Sequence, residues 1–198
     1  MSGGALILVA TPIGNLGDMT QRATEALSNA DVVCCEDTRR TGLLLQHLGI
    51  SGKKYIVINE HTEHDACEDV VQRILGGSNV ALVSDAGTPG ISDPGERLVK
   101  AALSAGITVS AMPGPSALTM ALVMSGLSTS RFVFEGFLPR SGADRTSRIA
   151  DIVDEFRTVV LYEAPHRLEK TLADLELACG ALRRVVLARE LTKMHEEM

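Results

Sequence analysis

Residues Ala81 to Pro94 read ALVSDAGTPGISDP. With Val80 in front, Val80-Ala81-Leu82-Val83 is a short apolar run that predicts a buried strand. It empties into Ser84-Asp85-Ala86-Gly87-Thr88-Pro89-Gly90, then into Ser92-Asp93-Pro94-Gly95. Small residues, carboxylates and prolines therefore crowd the exit of a strand. In open α/β sheets, ligands bind just past the carboxyl ends of the strands. Glycine lets a backbone come close to a ligand, because it has no Cβ and tolerates positive φ. An ordinary tight turn before a helix at 96–103 would share this composition, so the loop alone leaves binding open.

The same pattern recurs outward from this loop. Ala5 to Ala10 (ALILVA) predicts a buried strand ended by Thr11-Pro12-Ile13-Gly14-Asn15. Thr20 suits the N-cap of a short amphipathic helix over 21–29. Asp31 to Cys35 predicts a second strand, ending in Glu36-Asp37-Thr38-Arg39-Arg40, and 41–48 a helix closed by Gly49. Tyr55 to Ile58 predicts a third strand, running into Asn59-Glu60-His61-Thr62-Glu63-His64, with a helix over 65–75. After the opening loop come a helix over 96–105, a strand over 108–112, the turn Pro113-Gly114-Pro115-Ser116, and an apolar helix over 117–124. Strands alternating with helices indicate a parallel α/β layer. Runs that are apolar throughout suit strands covered on both faces.

The texture changes after Gly126. A strand over 132–137, a helix over 145–156, a strand over 158–162, a helix over 168–179 and a strand over 184–188 are expected. This divides the chain into an N-terminal α/β domain, 1–127, and a second α/β domain, 128–198. The second domain is small for an independent core, and the chain stops just past a strand, so this domain is expected to be incomplete.

Composition narrows the function classes. The 198 residues carry a formal net charge of −6, which gives no overall basic field for nucleic acid. Any such contact must be local, with Arg39-Arg40, Arg183-Arg184 and the series Arg131, Arg140, Arg145, Arg148 as candidates; solvated surface charge explains each of them as well. With no Trp, 2 Tyr and 4 Phe, base-stacking platforms are scarce. Cys34, Cys35, Cys67 and Cys179 form no CxxC and have no His at zinc-ligand spacing, so no metal site is expected. Reduced core cysteines suit the cytosol. The start lacks a signal-peptide pattern, and no run approaches the roughly 20 apolar residues of a membrane span.

Seven stretches in order carry a resemblance: VATPIGNLGD (9–18), CEDTRRTGLLLQHLGI (35–50), ALVSDAGTPGISDPG (81–95), PGPSAL (113–118), FEGFLPR (134–140), LYEAPHRL (161–168) and ARELTKMHEE (188–197). Together they resemble the ribosomal RNA small subunit methyltransferase I family, part of the tetrapyrrole (corrin/porphyrin) methylase superfamily. The resemblance implies two α/β domains with S-adenosylmethionine in the cleft between them. It also implies 2′-O-methylation of a cytidine ribose in the decoding region of 16S rRNA, a homodimer, and chains that continue past residue 198. Carried over position by position, it places cofactor contacts at Ser84, Asp85, Ala86, Gly87 and Ile91, at Ser116 and Ala117, and at Tyr162, Glu163 and Leu191. Pro12, Gly14 and Asn15 would line the acceptor side.

A ribose hydroxyl is a poor nucleophile and needs a general base or a stabilised alkoxide. Strand-end candidates are Asp37, His61, Glu163 and Lys193, each of which also reads as a structural polar group. Arg39, His61, His166 and Arg167 are candidates for RNA contact, since an arginine fork matches phosphate oxygens. Two other readings remain open. One is a tetrapyrrole methyltransferase of the same superfamily. The other is a truncated, non-catalytic nucleotide-binding module, although neither GxGxxG after the first strand nor GxxxxGK[ST] is present.

Overall fold

A computed structural model describes residues 3–59 and 62–198. The chain forms two compact units, Met1–Ser116 and Ala117–Met198.

In the first unit, five strands form one parallel sheet: β1 (Ala5–Val9), β2 (Val32–Cys35), β3 (Lys54–Val57), β4 (Val80–Val83) and β5 (Thr108–Met112), in the order β3-β2-β4-β1-β5. The helices are α1 (Gln21–Asn29), α2 (Thr38–His47), α3 (Glu63–Leu75) and α4 (Glu96–Ser104). The expected Thr20 cap is formed, its hydroxyl accepting from Ala23 N at 3.1 Å. All four residues of β2 and of β4 are buried. Successive side chains of a strand point to opposite faces, and the core divides accordingly. Val80 and Leu82 join Leu6, Val32 and Cys34 beneath Val70 and Ile74 of α3 and Leu98 and Ala102 of α4. Ala81 and Val83 join Val9, Val33 and Cys35 beneath Ala23 and Leu27 of α1 and Leu45 of α2. The continuous apolar runs are thus explained by cover on both faces. Burial pushes the Cys34 thiol up to about 12, so it stays a neutral core residue.

The second unit contains α5 (Ala117–Met124), β6 (Phe132–Phe137), α6 (Gly142–Asp154), β7 (Thr158–Tyr162) and α7 (Leu168–Cys179). Strands β6 and β7 pair in parallel, with a register shift between Phe134 and Gly136. Helix α5 packs Leu118 and Leu122 against Val160, Phe134 and Tyr162, so its core contacts lie with β7.

One expected strand is absent. Residues 184–188 form no strand, and the chain's next pairing is an isolated antiparallel bridge between Arg189 and Glu197. Val185 and Leu187 are exposed. The apolar run Val185-Val186-Leu187 favours a strand only where a sheet edge supplies hydrogen bonds, and among the described residues none pairs there. Helix α6 also starts earlier and stops earlier than expected, leaving Phe156 outside it.

Candidate active site

The sheet order brings the exits of β4, β1 and β5 side by side. Side-chain and backbone hydrogen bonds fasten them together. Thr11 N donates to Gly87 O at 2.8 Å and Gly87 N donates to Thr11 O at 3.0 Å. The buried Thr11 hydroxyl donates to Ser84 O at 3.2 Å, and the Ser84 hydroxyl to Gly87 O at 3.1 Å. The Thr88 hydroxyl reaches Pro115 O at 3.2 Å, joining the loop after β5. Gly87 sits at φ +86°, and a Cβ there would lie 3.3 Å from Ile13 Cγ2 and 3.6 Å from Pro115 O. At Gly114 a Cβ would come within 2.9 Å of the Ala10 Cβ, so only glycine lets these two loops pass.

The far end of the opening loop is fastened by Glu63. Its buried carboxylate oxygen Oε1 accepts from Gly95 N and Arg97 N, both at 3.0 Å, and from Leu98 N at 3.3 Å. These are the free N–H groups of the first turn of α4, where a negative charge also meets the positive end of the helix dipole.

Three carboxylates gather at the exits of β2 and β4. Glu36 Oε1 accepts from Asp85 N at 3.0 Å. Arg40 stands 3.4 Å from Asp85 Oδ2, while Asp85 Oδ1 is buried without a hydrogen-bond partner among the described residues. Burial, with Glu36 and Asp85 nearby, pushes the Asp93 carboxyl up to about 6, against a lowering hydrogen bond with Ser84. The cluster is short of positive charge.

In the second unit, Tyr162 at the end of β7 accepts from Leu118 N at 3.1 Å, and its ring meets Phe134 edge-on with centroids 4.9 Å apart. Glu163 is held on all sides. Its Oε1 accepts from Ala164 N at 2.8 Å and pairs with Arg167 at 3.3 Å, and its Oε2 accepts from Thr171 Oγ1 at 2.6 Å. Arg167 donates to Leu138 O at 2.7 Å. Buried Arg145 donates to Thr171, Asp174 and Pro139 O, so the exits of β6 and β7 are locked to α7.

A sequence profile described as Tetrapyrrole (Corrin/Porphyrin) Methylases matches residues 5–198. The chain belongs to the tetrapyrrole methylase family. Within that family it is 52% identical over 194 residues to a Ribosomal RNA small subunit methyltransferase I from Synechocystis, covering 98% of this chain and 69% of the relative. A protein of the same name from Escherichia coli O157:H7 is 48% identical over 195 residues, covering 98% of this chain and 68% of the relative. Identity at this level over nearly the whole chain puts it in that branch of the methylases. The fold is shared more widely. A precorrin-6Y methylase from Archaeoglobus fulgidus aligns with TM-score 0.64 at 19% identity, over 99% of this chain and 88% of that one. A uroporphyrin III C-methyltransferase from Thermus thermophilus aligns with TM-score 0.63 at 18% identity, over 98% and 86%.

Tetrapyrrole methylases use S-adenosylmethionine, and the first-unit loops suit the ammonium and sulfonium cations of its methionine part. The unpartnered Asp85 Oδ1 and the Asp93 and Glu36 carboxylates offer acceptors and negative charge, and Gly87, lacking a Cβ, lets the loop backbone lie close against Ile13 and Pro115. Neither Glu36 nor Asp93 is conspicuous in the sequence as a site residue. The available signal was the position of each just past a strand end, Glu36 after β2 and Asp93 in the loop after β4.

The other candidates fall as follows. Ser84, Asp85, Ala86, Gly87 and Ile91 lie in the fastened loop, and Ser116 and Ala117 follow the β5 turn. Asp37 caps α2, accepting from Arg39 N at 2.8 Å and pairing with the Arg39 guanidinium at 2.7 Å. These bonds, the side-chain one foremost, hold its carboxyl down at about 2. Asn15 accepts from Gly17 N at 2.9 Å, capping a short turn, with Pro12 and Gly14 just before it. Lys193 pairs with Glu190 at 3.1 Å on an exposed surface, beside buried Leu191. His166 is exposed, whereas Arg167 beside it is engaged. His61 lies outside the described residues.

Proposed function

We propose that this chain methylates small-subunit ribosomal RNA, at the 2′-hydroxyl of a cytidine ribose in the decoding region, working as a homodimer in the cytoplasm. The observation that carries the reading is the fastened loop Ser84–Ile91 with its unpartnered Asp85 oxygen, in a chain close to relatives named for rRNA methylation. When bound, S-adenosylmethionine supplies an electrophilic methyl group on a sulfonium. Asp85, with Ser84, Ala86, Gly87 and Ile91, orients the amino-acid end, and the chain at Ser116 and Ala117 offers backbone groups to it. Tyr162, Glu163 and Leu191 contribute to the adenosine contacts, Tyr162 and Leu191 as apolar surface and Glu163 by fixing the β7 exit.

Methyl transfer is an in-line displacement, so holding the acceptor in line supplies much of the rate. Pro12, Gly14 and Asn15 line the acceptor side. Arg39, held in place by Asp37, and exposed His166 meet RNA phosphate; Arg167, already engaged, braces the β6 exit. Asp37, held so far down, is too weak a base for a hydroxyl. Lys193 would serve instead as a cation beside the 2′-oxygen while the hydroxyl proton passes to solvent water, its long exposed stem allowing it to leave Glu190. His61 is a further RNA contact.

The test is methyl transfer from labelled S-adenosylmethionine to assembled small subunits and to naked rRNA, followed by nucleoside mass analysis. Labelled 2′-O-methylcytidine is expected, with assembled subunits the better substrate. No label in rRNA, or label in a tetrapyrrole instead, overturns the reading.

A further inference from the structure

At the opposite end of the second unit's strands from Glu163 and Arg167, an exposed aromatic ring stands among arginines. Phe156, between α6 and β7, is 78% exposed. The Arg131 guanidinium carbon lies 5.1 Å from its ring centroid and that of Arg157 5.9 Å. Arg183 donates to Glu155 O at 2.9 Å, bringing a third guanidinium to the same turn. Arg157 is neutralised by Glu155, whose carboxylate accepts from its side chain at 2.8 and 2.5 Å. Neither Arg131 nor Arg183 is in a close ion pair among the described residues, although the charge of Arg131 also reaches the Glu155 carboxylate.

Burial does not explain a phenylalanine this exposed. An aromatic face beside guanidinium groups that form no close ion pair has a specific chemical fit. Unstacked bases stack on aromatic rings and guanidinium planes, and the flanking cations meet the phosphates. In the sequence Arg183 stands in the pair Arg183-Arg184 and Arg131 in a separate basic series; the fold brings the two to one turn. We propose that Phe156, Arg131 and Arg183 form a docking surface for a single-stranded RNA segment, remote from the strand exits of this unit. It rests on the reading that the acceptor is RNA, and it would hold a stretch of substrate away from the reacting nucleotide.

The test is fluorescence anisotropy of the 198-residue chain with a labelled oligocytidine RNA of about ten nucleotides, a length matched to single-strand sites. Phe156→Ala and Phe156→Leu are each expected to weaken binding about tenfold, and Phe156→Tyr to leave it within about twofold, because the aromatic face and not its bulk makes the contact. Arg131→Gln should lower the slope of log affinity against log salt by about one. Since Phe156 is exposed, unchanged thermal melts confirm that the variants fold. Unchanged affinity for Phe156→Ala, or no binding of the oligonucleotide by the parent chain at low salt, overturns the surface. Methyl transfer to assembled subunits is read separately. Transfer by the parent with unchanged Phe156→Ala binding refutes the surface alone. Oligonucleotide binding through Phe156 with no rRNA methylation refutes the substrate reading and keeps the surface.

Discussion

Thr11 and Gly87 exchange two backbone hydrogen bonds, 2.8 and 3.0 Å long, across the exits of neighbouring parallel strands. The pair is antiparallel, although β1 and β4 themselves run parallel. Each loop has turned back on leaving its strand, and the two meet as a small floor at the sheet edge. With Ser84 and Thr11 adding side-chain bonds, the position of the Gly87 backbone follows from the sheet.

A side chain at Gly87 therefore acts on the ligand and on the floor at once. Its φ of +86° is one that β-branched residues rarely adopt, and a Cβ there points at Ile13 and Pro115 O. Gly87→Val should abolish S-adenosylmethionine binding in calorimetry while the rest of the sheet, judged by circular dichroism, stays folded. Binding at parental affinity would refute the place given to this loop.

Asp93 makes stability depend on pH in a direction unusual for a carboxylate. Its folded value, about 6, lies above the ordinary 3.8, so the folded chain holds this proton more tightly than the unfolded one. Below about pH 4 both states are protonated and no penalty arises. Between about 4 and 6 the unfolded chain releases the proton first, and stability falls as pH rises. Above that window the penalty is constant. Asp93→Asn should gain on the order of 1 kcal/mol at pH 7, after allowing for solvent screening, and nothing at pH 4. Urea titrations at the two pH values check this.

Glu63→Gln keeps the shape of the cap on α4 and removes its charge. A charged acceptor at three N–H groups of a first turn makes this substitution cost about 1–2 kcal/mol in urea unfolding. The loss should be accompanied by weaker cofactor binding, since Gly95 anchors the end of the loop. A variant as stable as the parent would show that Glu63 does not carry the cap.

Tyr162→Phe keeps the ring against Phe134 and removes the oxygen that accepts from Leu118 N. The expected loss is about 1 kcal/mol of stability. Thermal unfolding reads it directly, and an unchanged midpoint would mean that the hydroxyl does not tie α5 to β7.

The first unit was legible because its central strands β2 and β4 are buried on both faces, which writes them into the sequence as uninterrupted apolar runs that end in small residues and acids. The cysteines of β2 were readable as core for the same reason. Asp93 was not, because its raised proton affinity arises first from burial and then from Glu36 and Asp85, 57 and 8 residues away in sequence, which only the fold brings together. Nor was the engagement of Glu163 and Arg167, whose partners come from α7 and from the β6 exit. Residues 184–188 show the limit of pattern reading in the other direction. Val185-Val186-Leu187 has a strand's composition, but a strand is a relation to a neighbour, and composition does not name one.

Glu63 at one end and the Thr11–Gly87 pair at the other leave the segment between them clamped twice. A segment clamped at both ends has few conformations to lose when it meets a ligand, so less of the interaction is consumed in ordering it. The same clamps limit how far the loop adapts to a ligand of another shape. Chemical selectivity here is thus set largely before the ligand arrives, by two fastenings made within the chain itself.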